Sequence, residues 1–140
     1  MTQLELEIQA VKVEVMSMWY LVESQLQKTR TAILHFDRDL AREVALKEKR
    51  VNAFELKLDM DCENIFALYC PVAIDLRFLL AVLKINNNLE RIGDIAEGIS
   101  KYIIESEDDF DRLLVKKTEL MKMFDDCISI LADTRIAFEK

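Results

Sequence analysis

The sequence predicts an all-α fold, an antiparallel helical bundle. Residues that break helices are scarce, because the 140 residues contain two glycines and one proline. Apolar residues recur at steps of three and four along most of the chain, which places them on one face of an α-helix. No segment alternates with a period of two, the pattern of a half-buried strand. A chain of this length can bury the core of one domain without disulfides.

The first helix follows from an apolar stripe near the N-terminus. The stripe consists of Ile8, Val11, Val15, Met18, Val22, Leu26, Thr29, Ile33 and Phe36. This spacing predicts a helix of about 30 residues. The following segment, DRDLAREV (37–44), either prolongs that helix or forms a separate helical turn. The basic run KEKR (47–50) is then expected to connect the first helix to the second.

The second and third helices are expected on either side of the single proline. A second apolar stripe begins at Val51 and ends at Leu68, just before Pro71. Proline disfavours helix at the residue before it and suits the first position of a helix, so Pro71 is expected to open the third helix. The third helix is expected to reach Glu105, with an apolar stripe at Ile85, Leu89, Ile92, Ala96, Ile99 and Ile103.

A fourth helix is expected after an acidic interruption. The segment ESEDDFD (105–111) breaks the apolar pattern, and Asp111 can cap a new helix. The helix itself follows from a stripe at Leu120, Met123, Cys127, Ile130 and Thr134. The chain therefore divides into a three-helix unit over 1–106 and a fourth helix over 107–140.

Composition limits the classes of partner. The net charge of −7 and the sequence pI of about 4.8 disfavour direct binding to nucleic acid or to an anionic lipid surface. The longest apolar run, 78–83, is too short for direct membrane insertion, and the N-terminus lacks a signal-peptide core. Three cysteines without a CxxC pair and a single histidine, His35, exclude a Cys/His zinc set, and the thiols are expected to be buried in a reduced, intracellular protein.

No sequence pattern points to catalysis. The chain carries no phosphate-binding loop, no dinucleotide fingerprint and no arrangement typical of nucleophilic catalysis. His35 alone cannot build the paired E-x-x-H sites of di-iron oxidases. The protein is therefore not expected to be an enzyme.

The third helix carries an unusual set of residues in NNNLERIGDIAEG (86–98). Glu90, Asp94 and Glu97 share a face, and like charges four residues apart destabilise a helix by roughly 0.2–0.5 kcal/mol per pair. Both glycines of the chain, Gly93 and Gly98, lie in the same stretch, and each costs about 0.5–1 kcal/mol against alanine in a helix. Because one residue step rotates about 100°, Glu90 and Asp94 flank the apolar stripe.

The second helix repeats the arrangement with Glu55 and Asp59. If the second and third helices pack antiparallel, the pairs Glu55/Asp59 and Glu90/Asp94 face the same side of the bundle. Four carboxylates on two rigid helices suit a divalent or trivalent metal ion. On spacing alone the alternative is an ordinary solvated acidic face, because the chain contains 26 acidic residues.

Three segments also closely resemble the PhoU family of bacterial phosphate-signalling regulators. They are NAFELKLDMDC (52–62), CPVAIDLR (70–77) and LKINNNLERIGDIA (83–96). The segment DRDLAREV fits the same family, so the resemblance covers 37–99 strongly and the flanking helices by pattern only. It implies a PhoU-like three-helix repeat over 1–106 and, over 107–140, the start of an incomplete second repeat or an oligomerisation helix.

The resemblance also implies a function. It suggests a non-enzymatic, cytoplasmic regulator of phosphate uptake and phosphate-starvation signalling, held at the inner face of the membrane by its partners. The expected partners are the ATPase subunit of the phosphate ABC transporter and the phosphate-sensing histidine kinase. The family's metal motifs fall on Glu55, Asp59, Glu90 and Asp94, with Asp39 as a further candidate and iron or zinc as the metal.

Two other functions remain open. The chain could serve as a PhoU-like accessory domain of a sodium–phosphate cotransporter, or as a metal-free oligomeric helical scaffold. The fourth helix would leave apolar side chains such as Phe124, Ile130, Leu131 and Phe138 short of cover. Such a face favours burial against another copy, so a homo-oligomer is expected.

Overall fold

The computed structural model of the protein describes residues 1–106 and 118–140, which form helices and connections without a strand. The helices are α1 (Gln3–His35), α2 (Arg38–Tyr69), α3 (Ala73–Glu105) and α4 (Leu120–Glu139). Helices α1, α2 and α3 pack on one another in an antiparallel bundle, and α4 packs on α1. The predicted all-α fold is therefore confirmed.

The turn between α1 and α2 lies earlier than the sequence suggested. Helix α1 ends at Phe36 in the left-handed region (φ 49°, ψ 49°), and the Asp37 side chain accepts a hydrogen bond from the Leu40 N–H at 3.0 Å to cap α2. The prediction that KEKR (47–50) connects two helices was wrong, because these residues lie inside α2. Its basic side chains point outward while Glu48 continues the buried stripe.

The connection between α2 and α3 also differs from the prediction. Cys70 adopts the left-handed region (φ 45°) and Val72 is extended, so α3 begins at Ala73 rather than at Pro71. Pro71 is buried in the connection, and the extended Val72 separates it from the first helical residue. The predicted end of α3 at Glu105 is confirmed. The predicted cap at Asp111 lies outside the described residues.

The core runs along the inner stripes of the four helices. Its buried apolar residues include Val11, Val15, Met18, Val22, Val44, Val51, Leu58, Cys62, Leu79, Val82, Leu89 and Ala96. The prediction that the thiols are buried holds for Cys62 and was wrong for Cys70 and Cys127, which are exposed. Within 1–106 and 118–140, no helix combines the length and the apolar character needed to cross a membrane.

Helix α4 is held on α1 by polar contacts as well as by the core. The Trp19 Nε1–H donates to the Leu131 carbonyl at 3.1 Å, and the Trp19 ring lies 5.5 Å from that of Phe138. An Arg30–Asp125 ion pair at 2.6 Å ties the other end of the helix to α1. These contacts fix the antiparallel register of α4 against α1.

Candidate metal site on helices α2 and α3

Three carboxylates converge where α3 crosses α2. One oxygen from each of Glu48, Glu90 and Asp94 lies within 4.8 Å of the other two. Glu48 is only 3% exposed, Glu90 is half-buried and Asp94 is exposed. The cluster therefore extends from the interior of the bundle to its surface.

Gly93 explains how Glu48 can occupy this position. A Cβ atom at Gly93 would lie 3.0 Å from Val51 Cγ1 and 3.2 Å from Glu48 Oε2, closer than such contacts normally come. The missing side chain thus makes room for the Glu48 carboxylate between α2 and α3. A Cβ atom at Gly98 would meet nothing within 4 Å, so Gly98 has no comparable packing role.

The ionised Glu48 carboxylate has no hydrogen-bond donor within residues 1–106 and 118–140. Both of its oxygens are buried there without a donor. Burial, followed by a hydrogen bond that the protonated Glu48 can share with Asp94, raises the pKa of Glu48 to about 8, and the charges of Asp94, Glu97 and Glu90 raise it further. An ionised carboxylate in this position is costly, because it has lost water and gained negative neighbours. A bound proton or a bound cation would remove this cost.

Asp94 also raises the pKa of Glu90. A hydrogen bond that the protonated Glu90 shares with Asp94, followed by burial, raises the pKa of Glu90 to about 7. The charges of Asp94 and Glu55 raise it further, whereas Arg91 opposes the shift. Glu48 and Glu90 therefore gain or lose protons near neutral pH. A cation bound to the cluster would compete with these protons for the same carboxylate oxygens.

The second predicted pair lies next to this cluster along α2. Burial and the charge of Asp59 raise the pKa of Glu55. The buried Asn86 side chain donates through Nδ2 to Asp59 Oδ1 and to the Glu55 carbonyl, both at 3.0 Å. Glu55 is therefore near enough to affect Glu90 electrostatically, whereas Asp59 is engaged by Asn86 outside the three-carboxylate cluster.

Asp39 lies apart from these residues. It is in the first turn of α2, about 13 Å along the helix axis from Glu48. Its carboxylate is 94% exposed and pairs with Arg42 at 2.7 Å. The structure thus does not bring Asp39 to the cluster. His35 is exposed at the end of α1.

Glu48 and Asn86 are the residues that the sequence analysis missed. Glu48 follows Val44 by four positions and precedes Val51 by three, so it lies on the inner stripe of a continuous helix. That spacing was available in the sequence, but the basic residues around Glu48 suggested a connection. Asn86 likewise lies three positions before Leu89 on the inner stripe of α3.

The donor set indicates which cations fit. It consists of carboxylate oxygens, which suit hard cations such as Mg²⁺, Ca²⁺ and Mn²⁺ and also occur in carboxylate-bridged iron sites. Zinc sites in proteins more often contain nitrogen or sulfur ligands. The unpartnered Glu48 carboxylate fits a cation in this set, since a cation would supply the missing partner.

Residues 15–103 match the family described as "PhoU domain". The chain is 41% identical over 103 residues to the phosphate-specific transport system accessory protein PhoU of Edwardsiella tarda, a match that covers 74% of this chain and 42% of the relative. The protein of that name in Escherichia coli K12 is 38% identical over 103 residues, which cover 74% of this chain and 43% of the relative.

The fold is similar to a solved structure. The crystal structure of the phosphate transport system regulatory protein PhoU from Streptococcus pneumoniae superposes with a TM-score of 0.86 at 26% identity. The match covers 98% of this chain and 63% of that chain. The matched residues span less than half the length of the Edwardsiella and Escherichia relatives and less than two thirds of the Streptococcus protein.

Proposed function

The chain belongs to the PhoU family, and from that premise we propose that it is a non-enzymatic accessory regulator of phosphate transport and phosphate-starvation signalling that binds a metal ion between α2 and α3. The observation that carries the metal site is the buried Glu48 carboxylate, which faces Glu90 and Asp94 and has no hydrogen-bond donor in the part of the chain that the structure describes. The regulatory role rests on the similarity to accessory proteins of the phosphate-specific transport system.

In this proposal Glu48, Glu90 and Asp94 hold the metal ion. Glu55 adds a carboxylate beside them, and Asp59, oriented by Asn86, completes the acidic surface. An all-oxygen set favours iron over zinc among the two metals that the family resemblance implies. Metal binding removes the repulsion among these carboxylates and so stabilises the contact between α2 and α3.

The regulator acts by docking rather than by catalysis. Its proposed partners are the ATPase subunit of the phosphate ABC transporter and the phosphate-sensing histidine kinase, on the cytoplasmic side of the membrane. Leu56 and Met60 are exposed apolar side chains of α2 that adjoin Glu55 and Asp59 in sequence. A partner that covers them would respond to the change in charge when the metal binds.

Metal analysis tests the site. Protein stripped with a chelator is dialysed against Mn²⁺ or iron, and the bound metal is measured by mass spectrometry. Wild type is expected to retain metal, and the variants Glu90→Ala/Asp94→Ala and Glu48→Gln are expected to lose it. The control Asp39→Ala/Glu63→Ala removes the same charge as the double variant away from the cluster and should retain metal. Equal metal content in all four proteins would eliminate the site.

A reporter strain tests the regulation. Deletion of the gene is expected to raise a phosphate-starvation reporter in high phosphate, and the wild-type gene should restore repression. A reporter that stays unchanged after deletion contradicts the regulatory role. Co-purification separates this role from the alternative, because the ABC transporter ATPase should be captured rather than a sodium–phosphate cotransporter.

A further inference from the structure

Asn86 is a polar residue on the buried stripe of α3. It is fully buried and lies between Val82 and Leu89 on that stripe. An apolar side chain would pack at this position without needing a hydrogen bond, whereas a buried amide costs stability unless its polar atoms are paired. An asparagine at this position therefore indicates a role other than packing.

Two acceptors on α2 determine the orientation of the Asn86 amide. Its Nδ2 donates to the Glu55 carbonyl oxygen and to Asp59 Oδ1, each at 3.0 Å. If the amide were turned over, its Oδ1 would face these two oxygens, and neither a carbonyl nor an ionised carboxylate carries a proton to donate. The hydrogen bonds of Nδ2 thus also determine where Oδ1 lies.

The oxygen of the same amide, Asn86 Oδ1, lacks a donor. It is buried, and no residue within 1–106 or 118–140 donates a hydrogen bond to it. Buried side-chain acceptors nearly always have a partner in the protein or an ordered water molecule. Asn86 precedes Glu90 by four positions, and Glu48 lies against Gly93 three positions after Glu90. Two buried acceptors without a donor therefore lie on either side of Glu90.

A cation held by Glu48, Glu90 and Asp94 would supply the donor for Oδ1 through its water ligands. Hard cations take about six oxygen ligands, so three carboxylates leave positions that water fills. Asn86 lies about 12 Å from Asp94 along the α3 axis, too far for Oδ1 to bind the same ion directly. Asn86 is only about 6 Å from Glu90 along that axis, and a water molecule on the ion extends its reach to roughly 5 Å.

We propose that Asn86 is a positioning residue of the metal site, whose Oδ1 accepts a hydrogen bond from a water molecule on the ion while its Nδ2 holds Asp59. The inference rests on the proposed metal site. Side chains of an α-helix lean toward its N-terminus, so Glu90 and the ion extend over the turn that contains Asn86. A fixed water ligand favours cations such as Mg²⁺ that keep several water molecules when they bind.

The alternative is a purely structural asparagine that fixes the register of two helices, as single buried asparagines do in coiled coils. The two roles use different atoms of the amide. A structural role depends on the N–H groups that bond α2, whereas the role at the metal site depends on Oδ1. Aspartate keeps an acceptor oxygen without the N–H groups, and leucine has neither. These two substitutions therefore separate the roles.

Titration with Mn²⁺, followed by the electron paramagnetic resonance of the free ion, tests the role of Asn86. Asn86→Leu should bind Mn²⁺ about tenfold more weakly than wild type, the loss typical of residues that orient metal ligands. Asn88→Leu is the matched control and should bind as wild type does, because Asn88 is exposed beside residues of α1 and α4. Circular dichroism checks that each variant is folded. Unchanged binding in Asn86→Leu overturns this inference alone, whereas a wild type that binds no Mn²⁺ overturns the metal site as well.

The same titration of Asn86→Asp identifies the atom that acts. This variant should recover most of the wild-type affinity, because its carboxylate accepts the hydrogen bond from the water molecule. Asn86→Leu/Asn87→Asp controls for attraction of the ion by the added charge, since Asn87 is exposed three positions before Glu90, and it should bind as weakly as Asn86→Leu. Binding by Asn86→Asp as weak as that of Asn86→Leu, or equal recovery in the double variant, overturns the contact between Oδ1 and the water molecule.

Discussion

Two buried glutamates on different sides of the bundle have opposite surroundings. Glu23 on α1 is 8% exposed, and Arg135 of α4 donates through Nε to both of its oxygens at 3.0 and 3.1 Å. The same guanidinium lies 4.3 Å from the centre of the Tyr20 ring. Glu48 on α2 is buried at least as deeply, yet it faces Glu90 and Asp94, and none of the described residues donates a hydrogen bond to it.

The difference separates a structural group from a candidate functional one. The charge of Glu23 is neutralised within the chain, so its interactions contribute to holding α4 on α1. No cation or donor among the described residues neutralises the charge of Glu48. Buried polar groups without a partner are rare in folded proteins because they cost stability. A carboxylate kept in that state is a candidate for binding a proton or a cation from outside.

The largest effect is expected on the Glu23 side. Arg135→Ala leaves the buried Glu23 carboxylate without its counter-ion and should lower the free energy of unfolding more than loss of the exposed Asp39–Arg42 pair does. Urea denaturation followed by circular dichroism measures this loss. The double variant Glu23→Gln/Arg135→Met removes both charges and should recover part of the stability. A loss no larger than that of Asp39→Ala would show that the pair is not structural.

The two glycines of α3 should respond in opposite directions. Gly93→Ala forces a Cβ atom against Val51 and Glu48 and should destabilise the fold by roughly 1–3 kcal/mol. Gly98→Ala meets open space and should stabilise it by about 0.5–1 kcal/mol through helix propensity. Thermal unfolding of both variants measures the difference. Equal effects at the two positions contradict the close packing of α2 on α3.

The free energy of unfolding should depend on pH because Glu48 holds a proton in the folded state. The folded pKa of about 8 lies above the unfolded value near 4.3, so the folded state binds more protons between these values. The stability from this proton is present below the unfolded pKa and is lost as pH rises toward 8.

In metal-free protein we therefore expect unfolding free energy to fall by at least about 1.4 kcal/mol across that range, the equivalent of one pKa unit. Glu48→Gln should show a flatter profile, because glutamine does not titrate. Urea titrations at several pH values measure both slopes. A wild-type profile identical to that of Glu48→Gln means that the folded state does not hold this proton.

The smallest effect is expected at Asp39. Its exposed ion pair with Arg42 should contribute at most about 0.5 kcal/mol, so Asp39→Ala should unfold almost as wild type does. Calorimetry measures the change in melting temperature. A large loss of stability in Asp39→Ala would mean that the exposure of a carboxylate does not determine how much it contributes to the stability of the fold.

The helices could be predicted from apolar periodicity, but one turn could not. The stripe continues from Phe36 through Leu40 to Val44, so periodicity alone hides the break at Phe36 and Asp37. Asp37 was the signal, because an aspartate before a helical stripe is a typical N-cap. The basic run KEKR was interpreted as a connection between helices. A helix with one buried face can carry such a run on its outer face, so the charges did not mark the end of a helix. The division into 1–106 and 107–140 stays a prediction.

The candidate site could be predicted only in part. Glu90 and Asp94 followed from their spacing and from the family motif, and the structure brings them together. The spacing of Glu48 places it on the buried stripe of α2, but its contact with Glu90 and Asp94 depends on the room left by Gly93 on α3, which no spacing within one helix reveals. Metal binding at Glu55, Asp59, Glu90 and Asp94 stays a prediction.

If the buried Glu48 carboxylate belongs to a metal site, metal ions should stabilise the folded protein through it. The most direct measurement is thermal unfolding of chelator-treated wild type and Glu48→Gln, each with and without Mn²⁺ or iron. At a metal concentration one hundred times the dissociation constant, the wild type should gain about 2.7 kcal/mol, and Glu48→Gln should gain little. Equal stabilisation of both proteins, or of neither, would show that Glu48 does not hold a metal ion.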